Sequence, residues 1–297
     1  MKKIWIILLA GLLTLSACVP VQPATSTGPG VGTIVASTLQ AMTAAAPPAT
    51  AEPPTQAPPS GTAVSFQNVS FVIPTGLALG ANGEAVPVIT EDNGAPWDAA
   101  PAHIHFTFFG YNDVLAKFST MEISVYPAQE YAAVSNGAGN SIPRLQAILA
   151  SPSAPIDVKN LPNVPYFNAG AMMTAQVKVI NFASGSGVRS VTQYGQAVGA
   201  VMNNGTFYHF EGLTADGKYY IVAVLPIGSP ILQSGSDPYG PLPAGGVQFP
   251  QYTTADPADY ETYFQAVTDA LNAASPDSFQ PSLSMLDALV QSITIAP

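Results

Sequence analysis

The chain has 297 residues, 47% of them hydrophobic and only 9% charged, with 18 acidic residues against 8 basic ones and a formal net charge of −10. A protein this acidic carries no electrostatic footprint for nucleic acid, and its single cysteine, Cys18, rules out a disulfide within the chain. Beyond residue 13 no apolar run approaches the roughly 20 residues that cross a bilayer; the longest is YYIVAVLPI, from Tyr219 to Ile227.

Met1-Lys2-Lys3 forms a short basic head, Ile4 to Leu13 an apolar stretch of signal-peptide length, and Leu15-Ser16-Ala17 a small-residue approach to a cleavage site. Residues 1–17 therefore read as an export signal. Leu15-Ser16-Ala17-Cys18 resembles the lipobox of bacterial lipoproteins. The resemblance implies diacylglyceryl transfer to the Cys18 thiol, cleavage before Cys18 and acylation of the new amino terminus. It also implies anchoring at the outer face of the cell membrane, or at an outer membrane where there is one. Cleavage would remove Lys2 and Lys3 and leave 6 basic residues against 18 acidic ones, a net charge of −12. Anionic headgroups would not attract such a chain, so the acyl groups must hold it.

Residues 18–62 carry the lipidated cysteine and a tether rich in Pro, Ala, Thr and Ser, with one charge, Glu52, and too few large apolar residues for a core. Within it Val31, Val35, Leu39 and Met42 share one face of a helix over residues 31–46, stopped by Pro47-Pro48. A lone helix that short is marginal in water.

Residues 63–297 suffice for one well-buried domain. Strand patterns run AVSFQNVSFVIP, HIHFTFFGY, STMEISVYP, MMTAQVKVINF, GVRSVTQYGQ, TFYHFEGLT and KYYIVAVLPI. Asp216-Gly217 between the last two is a two-residue hairpin signal of the type that needs positive φ at both positions, and Asn204-Gly205 reads the same way between the preceding pair. KYYIVAVLPI is apolar on both faces, which marks a central strand covered on both sides. Helices are expected at PAQEYAAV and SIPRLQAIL. A C-terminal pair follows: Asp256 caps the first helix, with Pro257 at its first position and Ser275-Pro276 at its end, and PSLSMLDALVQSI begins the second at Pro281. ITIAP closes the chain as an edge strand. The fold expected is α+β, a mainly antiparallel sheet with helices packed on it.

The run from Gly185 to Ile227, together with HIHFTFFGY, VYPAQEY and SLSMLDALVQSI, resembles a group of exported bacterial proteins, many of them lipoproteins, that have no assigned activity. The resemblance supplies no catalytic residue. The ending LDALVQSITI also resembles the close of Mog1/PsbP-like sandwiches, and fold analogy of that kind does not define function.

Motifs for nucleophilic, zinc-protease, nucleotide-binding and calcium chemistry are absent from the sequence, and no pattern asks for a cofactor. His103 and His105 lie two apart on a strand and so share a face, a spacing that suits two ligands of one zinc or copper ion. Glu91, Asp92, Asp98 or His209 would supply the third. The alternative is the polar face of an alternating strand. His209 and Glu211 share a face of TFYHFEGLT, either as an acid-base couple or as a hydrogen-bonded structural pair, and the Asp216-Gly217 register puts them opposite Val224 and Val222. Arg189 and Lys218 would either bind a carboxylate or neutralise neighbouring acids. Tyr194, Tyr208, Tyr219 and Tyr220 read as a sugar-stacking surface or as core with hydroxyls at its rim.

Two function classes follow. One is a non-catalytic, membrane-anchored lipoprotein whose body binds an envelope glycan or a protein partner. The other is an envelope enzyme, metal-dependent or not, using His103 and His105 or His209 and Glu211. The missing nucleophile motifs favour the first. If Cys18 is the anchor, cells fed a palmitate analogue label the protein and it sediments with membranes, and Cys18→Ser loses both properties; label that persists in the variant rules the anchor out.

Overall fold

The computed structural model describes residues 60–90, 92, 94–111, 121–152, 154–164 and 168–297. The expected leader at 1–17, Cys18, the tether as far as residue 59 with its helix at 31–46, and Glu91 lie outside the described residues. The compact unit that holds the described residues spans 57–297, and its first strand opens at Gly61, two residues before the expected boundary.

The architecture is α+β in three layers. Strands β1 (Gly61–Phe66), β2 (Val69–Pro74) and the closing β10 (Thr294–Ile295) form a small antiparallel sheet in the order β1-β2-β10. A seven-stranded antiparallel sheet contains β3 (Gly80–Val86), β4 (His103–Phe109), β5 (Glu122–Pro127), β6 (Gly170–Phe182), β7 (Gly185–Gly195), β8 (Phe207–Thr214) and β9 (Tyr219–Pro226). Its order is β3-β4-β5-β9-β8-β7-β6. Helices α1 (Ala128–Val134) and α2 (Asn136–Leu149) belong to one face, and α3 (Pro257–Ala273) and α4 (Leu283–Gln291) to the other.

Strand β9 is the middle strand of the seven, as its two apolar faces require. Ile221, Ala223 and Leu225 point into a core shared with β2, α3 and α4. Tyr220, Val222 and Val224 point into a second core under α1 and α2. On the first side Phe71 of β2 meets the Phe106 ring edge-on at 5.0 Å between centroids, and Val267, Leu271, Leu286 and Val290 complete the packing. Burying side chains of this size stabilises by roughly 1.5–3 kcal/mol each.

Local chemistry sets the helix ends. Asp256 accepts hydrogen bonds from Ala258 N and Asp259 N while the Asp259 side chain accepts one from Asp256 N, a reciprocal cap, and Pro257 takes the first turn as expected. Helix α4 begins two residues later than Pro281 suggests, because Ser282 caps it by accepting from Met285 N at 3.2 Å. Helix α2 starts at Asn136, well ahead of SIPRLQAIL, because Ser135 caps it and Pro143 is tolerated inside it.

Four strand readings need correction. AVSFQNVSFVIP is not one strand: Gln67 turns the chain at φ 53° and the two halves pair as β1 and β2. Strand β3 carries no strand pattern, since GANGEAV lacks β-branched residues before Val86. It forms by pairing along all seven residues of β4, and Gly83 is needed where a Cβ would stand 2.5 Å from Phe66 Cβ. Strands β7 and β8 do pair, but residues 196–206 connect them rather than an Asn204-Gly205 hairpin. The neighbouring Asn203 instead ties that connection to the loop after β9 through Ser229 N, Ser229 O and Leu232 O. The β8–β9 register is as expected, with His209 opposite Val224 and Glu211 opposite Val222. The loop between them, however, spans residues 215–218 and has positive φ only at Gly217, 72°. Gly217 N donates to Thr214 O at 2.8 Å, and Asp216 Oδ1 accepts from Thr214 Oγ1 and Lys218 N.

These bonds hold the exposed Asp216 carboxyl down to about 2, the Thr214 hydroxyl contributing most. Gly217→Val should lower stability by about 1–3 kcal/mol, because a β-branched residue resists that backbone conformation. Asp216→Asn keeps both acceptor bonds and should melt close to wild type. Equal melting of Gly217→Val and wild type would contradict the turn.

Candidate functional site

Strand β8 brings His209 and Glu211 onto the face of the sheet under α2, where both are buried, at 4% and 1% exposure. The His209 ring and the Glu211 carboxylate converge on one residue's main chain. His209 Nε2 donates to the Val164 carbonyl, and Val164 N donates to Glu211 Oε1 at 2.6 Å. The Tyr220 hydroxyl donates to Glu211 Oε2. Val164 is fully buried outside any strand, so its two main-chain polar groups need partners that only side chains supply here. The pair is thus a clamp on a main-chain segment.

Burial governs its protonation. It lowers His209 to about 4, opposed by the hydrogen bond to Val164, and raises Glu211 to about 8, opposed by the bonds from Tyr220 and Val164. His209 Nε2 and Glu211 Oε1 are 3.3 Å apart, within ion-pair range. Whether the proton sits on the ring or the carboxyl, the pair holds one proton between about pH 4 and 8.

The other expected residues do not join it. His103 and His105 do sit side by side on β4. His103 Nδ1 donates to Pro101 O at 2.8 Å and its ring lies against Tyr126, 4.5 Å between centroids. Burial lowers the His103 pKa. His105 Nδ1 shares a 3.0 Å hydrogen bond with Ser124 Oγ, and its Nε2 stands 3.9 Å from Glu122 Oε2. Asp92 and Asp98 are exposed, and no group of three His, Cys, Asp or Glu side chains suited to a metal occurs among the described residues. His209 is separated from the β4 pair by strands β5 and β9.

The cations neutralise acids, as one of the two readings has it. Buried Arg189 places Nε 3.3 Å from Asp287 Oδ1 of α4 and donates through Nη1 to Gln176 O, while Lys178 Nζ is 3.7 Å from Asp287 Oδ2. Lys218 Nζ is 3.1 Å from Asp216 Oδ2. Tyr208 and Tyr220 are core residues with 0% exposure. Their hydroxyls are not at a rim, however: Tyr208 donates to Asp287 Oδ1 at 3.0 Å and Tyr220 to Glu211. Tyr219 is half-buried and its hydroxyl accepts from Asn68 Nδ2. Tyr194 is half-buried against Phe207 and His209.

A cleft of about 690 Å³ opens between α2 and the β3–β4 connection, lined among others by Trp97, Asn136, Asn140, Arg144 and Asn163. Among the described residues, none of the histidines or carboxylates singled out from the sequence lines it. Asn136, Asn140 and Arg144 recur every four residues and so form one row along α2. Asn163 is held by Ser141, whose Oγ accepts from Asn163 N at 3.0 Å, and by the clamp on the next residue, Val164. Sequence reasoning missed these residues. The i, i+4, i+8 row of polar side chains and a lone tryptophan in a loop were the available signals. The chain matches no protein-family model, no curated protein and no solved structure.

The clamp predicts a pH profile. Unfolded, the pair loses its last proton near pH 6.5 and gains a second near pH 4.5, the ordinary values for His and Glu. Between pH 6.5 and 8 the folded state therefore holds the extra proton, and stability falls as pH rises. The neighbouring tyrosines Tyr131, Tyr194 and Tyr220 are all pushed above their ordinary range by burial and do not titrate there. Denaturant melts should show a loss approaching about 1.4 kcal/mol per pH unit in that window, and Glu211→Gln should flatten it. An unchanged slope in Glu211→Gln would refute the assignment.

Proposed function

We propose that this chain is an exported lipoprotein, anchored through Cys18, whose body binds an envelope component without catalysis. The observation that carries the binding half is the separation of the open cleft from every candidate catalytic side chain. Catalysis needs an acid, base or nucleophile within hydrogen-bond reach of a bound substrate. His209 and Glu211 instead spend their polar atoms on Val164 and Tyr220, sealed from solvent. His103 and His105 are held by Pro101 and Ser124 on β4, outside the cleft lining. The cleft itself offers amides, a guanidinium, an indole and the hydroxyls of Thr90 and Ser135, the second of which caps α2 by accepting from Ala138 N, within a volume ordinary for a ligand site. Attachment rests on the Leu15-Ser16-Ala17-Cys18 sequence.

Thermal melting of the full chain against envelope polysaccharide fragments, peptides, zinc and copper tests this reading. A ligand should raise the melting temperature of wild type and not of Trp97→Ala. Stabilisation by zinc or copper that disappears in the His103→Ala, His105→Ala double variant would overturn it in favour of the metal-dependent enzyme.

A further inference from the structure

We infer that the cleft takes a glycan bearing a carboxylate, with a sugar ring on Trp97 and the acid group on Arg144. This deepens the binding reading above and rests on it.

The apolar part of the argument is the clustering of exposed carbon. Nine large hydrophobic side chains are exposed among the described residues, and three of them, Val88, Trp97 and Val134, line this one cleft. Convergence of that kind marks a binding surface. Trp97 is 41% exposed. A pyranose presents a flat C–H face to such a ring while its hydroxyls stay free to bond outward.

The polar part is suited to those hydroxyls. Asn136 and Asn140 are exposed on the α2 row, and each amide offers donors and an acceptor, the mixed set that hydroxyl groups require. A peptide that binds by adding a strand would ask for something else, an unpaired main-chain edge. The wall at Ile89 has spent its edge: Ile89 N donates to Ala100 O at 2.9 Å and Ala100 N returns a bond to Ile89 O at 3.1 Å. The lining therefore favours a ligand read through side chains.

The acid group follows from Arg144. Lys178, Arg189 and Lys218 each have a carboxylate within 4.0 Å, whereas Arg144 and Lys159 have none among the described residues, and of these two only Arg144 lines the cleft. Among the described residues no acidic side chain lines the cleft beside it. In a chain of net charge −10 the general field repels anions, so an exposed guanidinium with no acid beside it among the described lining residues is a local exception. Its planar fork matches a carboxylate bidentately.

Calorimetric titration of the full chain with trigalacturonate, chitotriose and a tri-glutamate peptide tests the assignment. Trigalacturonate should bind, with an affinity that falls as salt rises, and chitotriose should bind at least about tenfold more weakly, the loss of a charge-assisted bidentate contact. Arg144→Met should weaken trigalacturonate by a similar factor and leave chitotriose unchanged, while Trp97→Ala should weaken both. Both side chains are on the surface, so their melting temperatures without ligand check that folding is intact. Equal affinity for the acidic and neutral sugars, or no effect of Arg144→Met, overturns the carboxylate while the binding reading survives. Tighter binding of tri-glutamate than of either sugar overturns the glycan. Binding of none of the three overturns the inference, and the melting screen then decides the broader reading separately.

Discussion

The two-sided burial of β9 is the constraint on which the rest depends. A strand with apolar residues on both faces needs a neighbour on each edge and a layer on each side. Strands β5 and β8 occupy its edges. Leu225, Ala223 and Ile221 call for one cover, which α3, α4 and the small sheet provide, while Tyr220, Val222 and Val224 call for the other under α1 and α2. Losing either layer would expose half of β9, and the sheet would lose the rigid centre that aligns its outer strands.

Each of these two cores contains one buried carboxylate bonded to one buried tyrosine. On the α4 side Asp287 accepts from Tyr208 and lies beside Arg189, which also reaches the carbonyl of Gln176 at a bulge in β6. Gln176 in turn donates through Nε2 to Leu271 O and Ala274 O at the end of α3. One polar chain thus fixes α3 and α4 to the sheet. On the α2 side Glu211 accepts from Tyr220 and Val164, and with His209 it fixes the segment that carries Asn163 to the cleft. Buried polar groups bonded in this way favour a single arrangement, since a slip would strand a charge or an amide; Arg189 Nε, which makes no hydrogen bond, is held only by its charge beside Asp287.

The contrast between these cores and the cleft explains what was legible in the sequence. Periodicity reports burial, so the central strand, the β8–β9 register and the C-terminal helices could be read from apolar spacing and capping residues alone. Strand β3 could not be, because its pairing comes from β4 and its glycines serve the rings of Phe66 and Phe106. The turn at Asp216-Gly217 was located but its length was not, since the Thr214 side chain closes a four-residue loop in a way no dipeptide signals. His209 and Glu211 were found as a pair, yet their partner Val164 lies 45 and 47 residues away and carries no polar side chain. The cleft residues come from α2 and from connections on either side of it, and only folding brings Trp97 and Asn163 to the Asn136, Asn140 and Arg144 row.

The small sheet gives the body a mechanical asymmetry. Strand β1 is hydrogen-bonded to β2 alone and mostly exposed, with Gly61 at the open end of the hairpin and, at the other, the turn at Gln67 beside Phe66, whose ring packs on Phe106. Tension applied ahead of Gly61 meets the ladder end-on, so its hydrogen bonds break pair by pair, as a zipper opens, instead of resisting together in shear. Strand β2 would remain behind, buried and pinned on its far edge by β10 and by Ser292 Oγ on Val72 N at 2.8 Å. Pulled from its amino-terminal side, the body would lengthen by most of one strand before the load reaches the main sheet through Phe66 on Phe106.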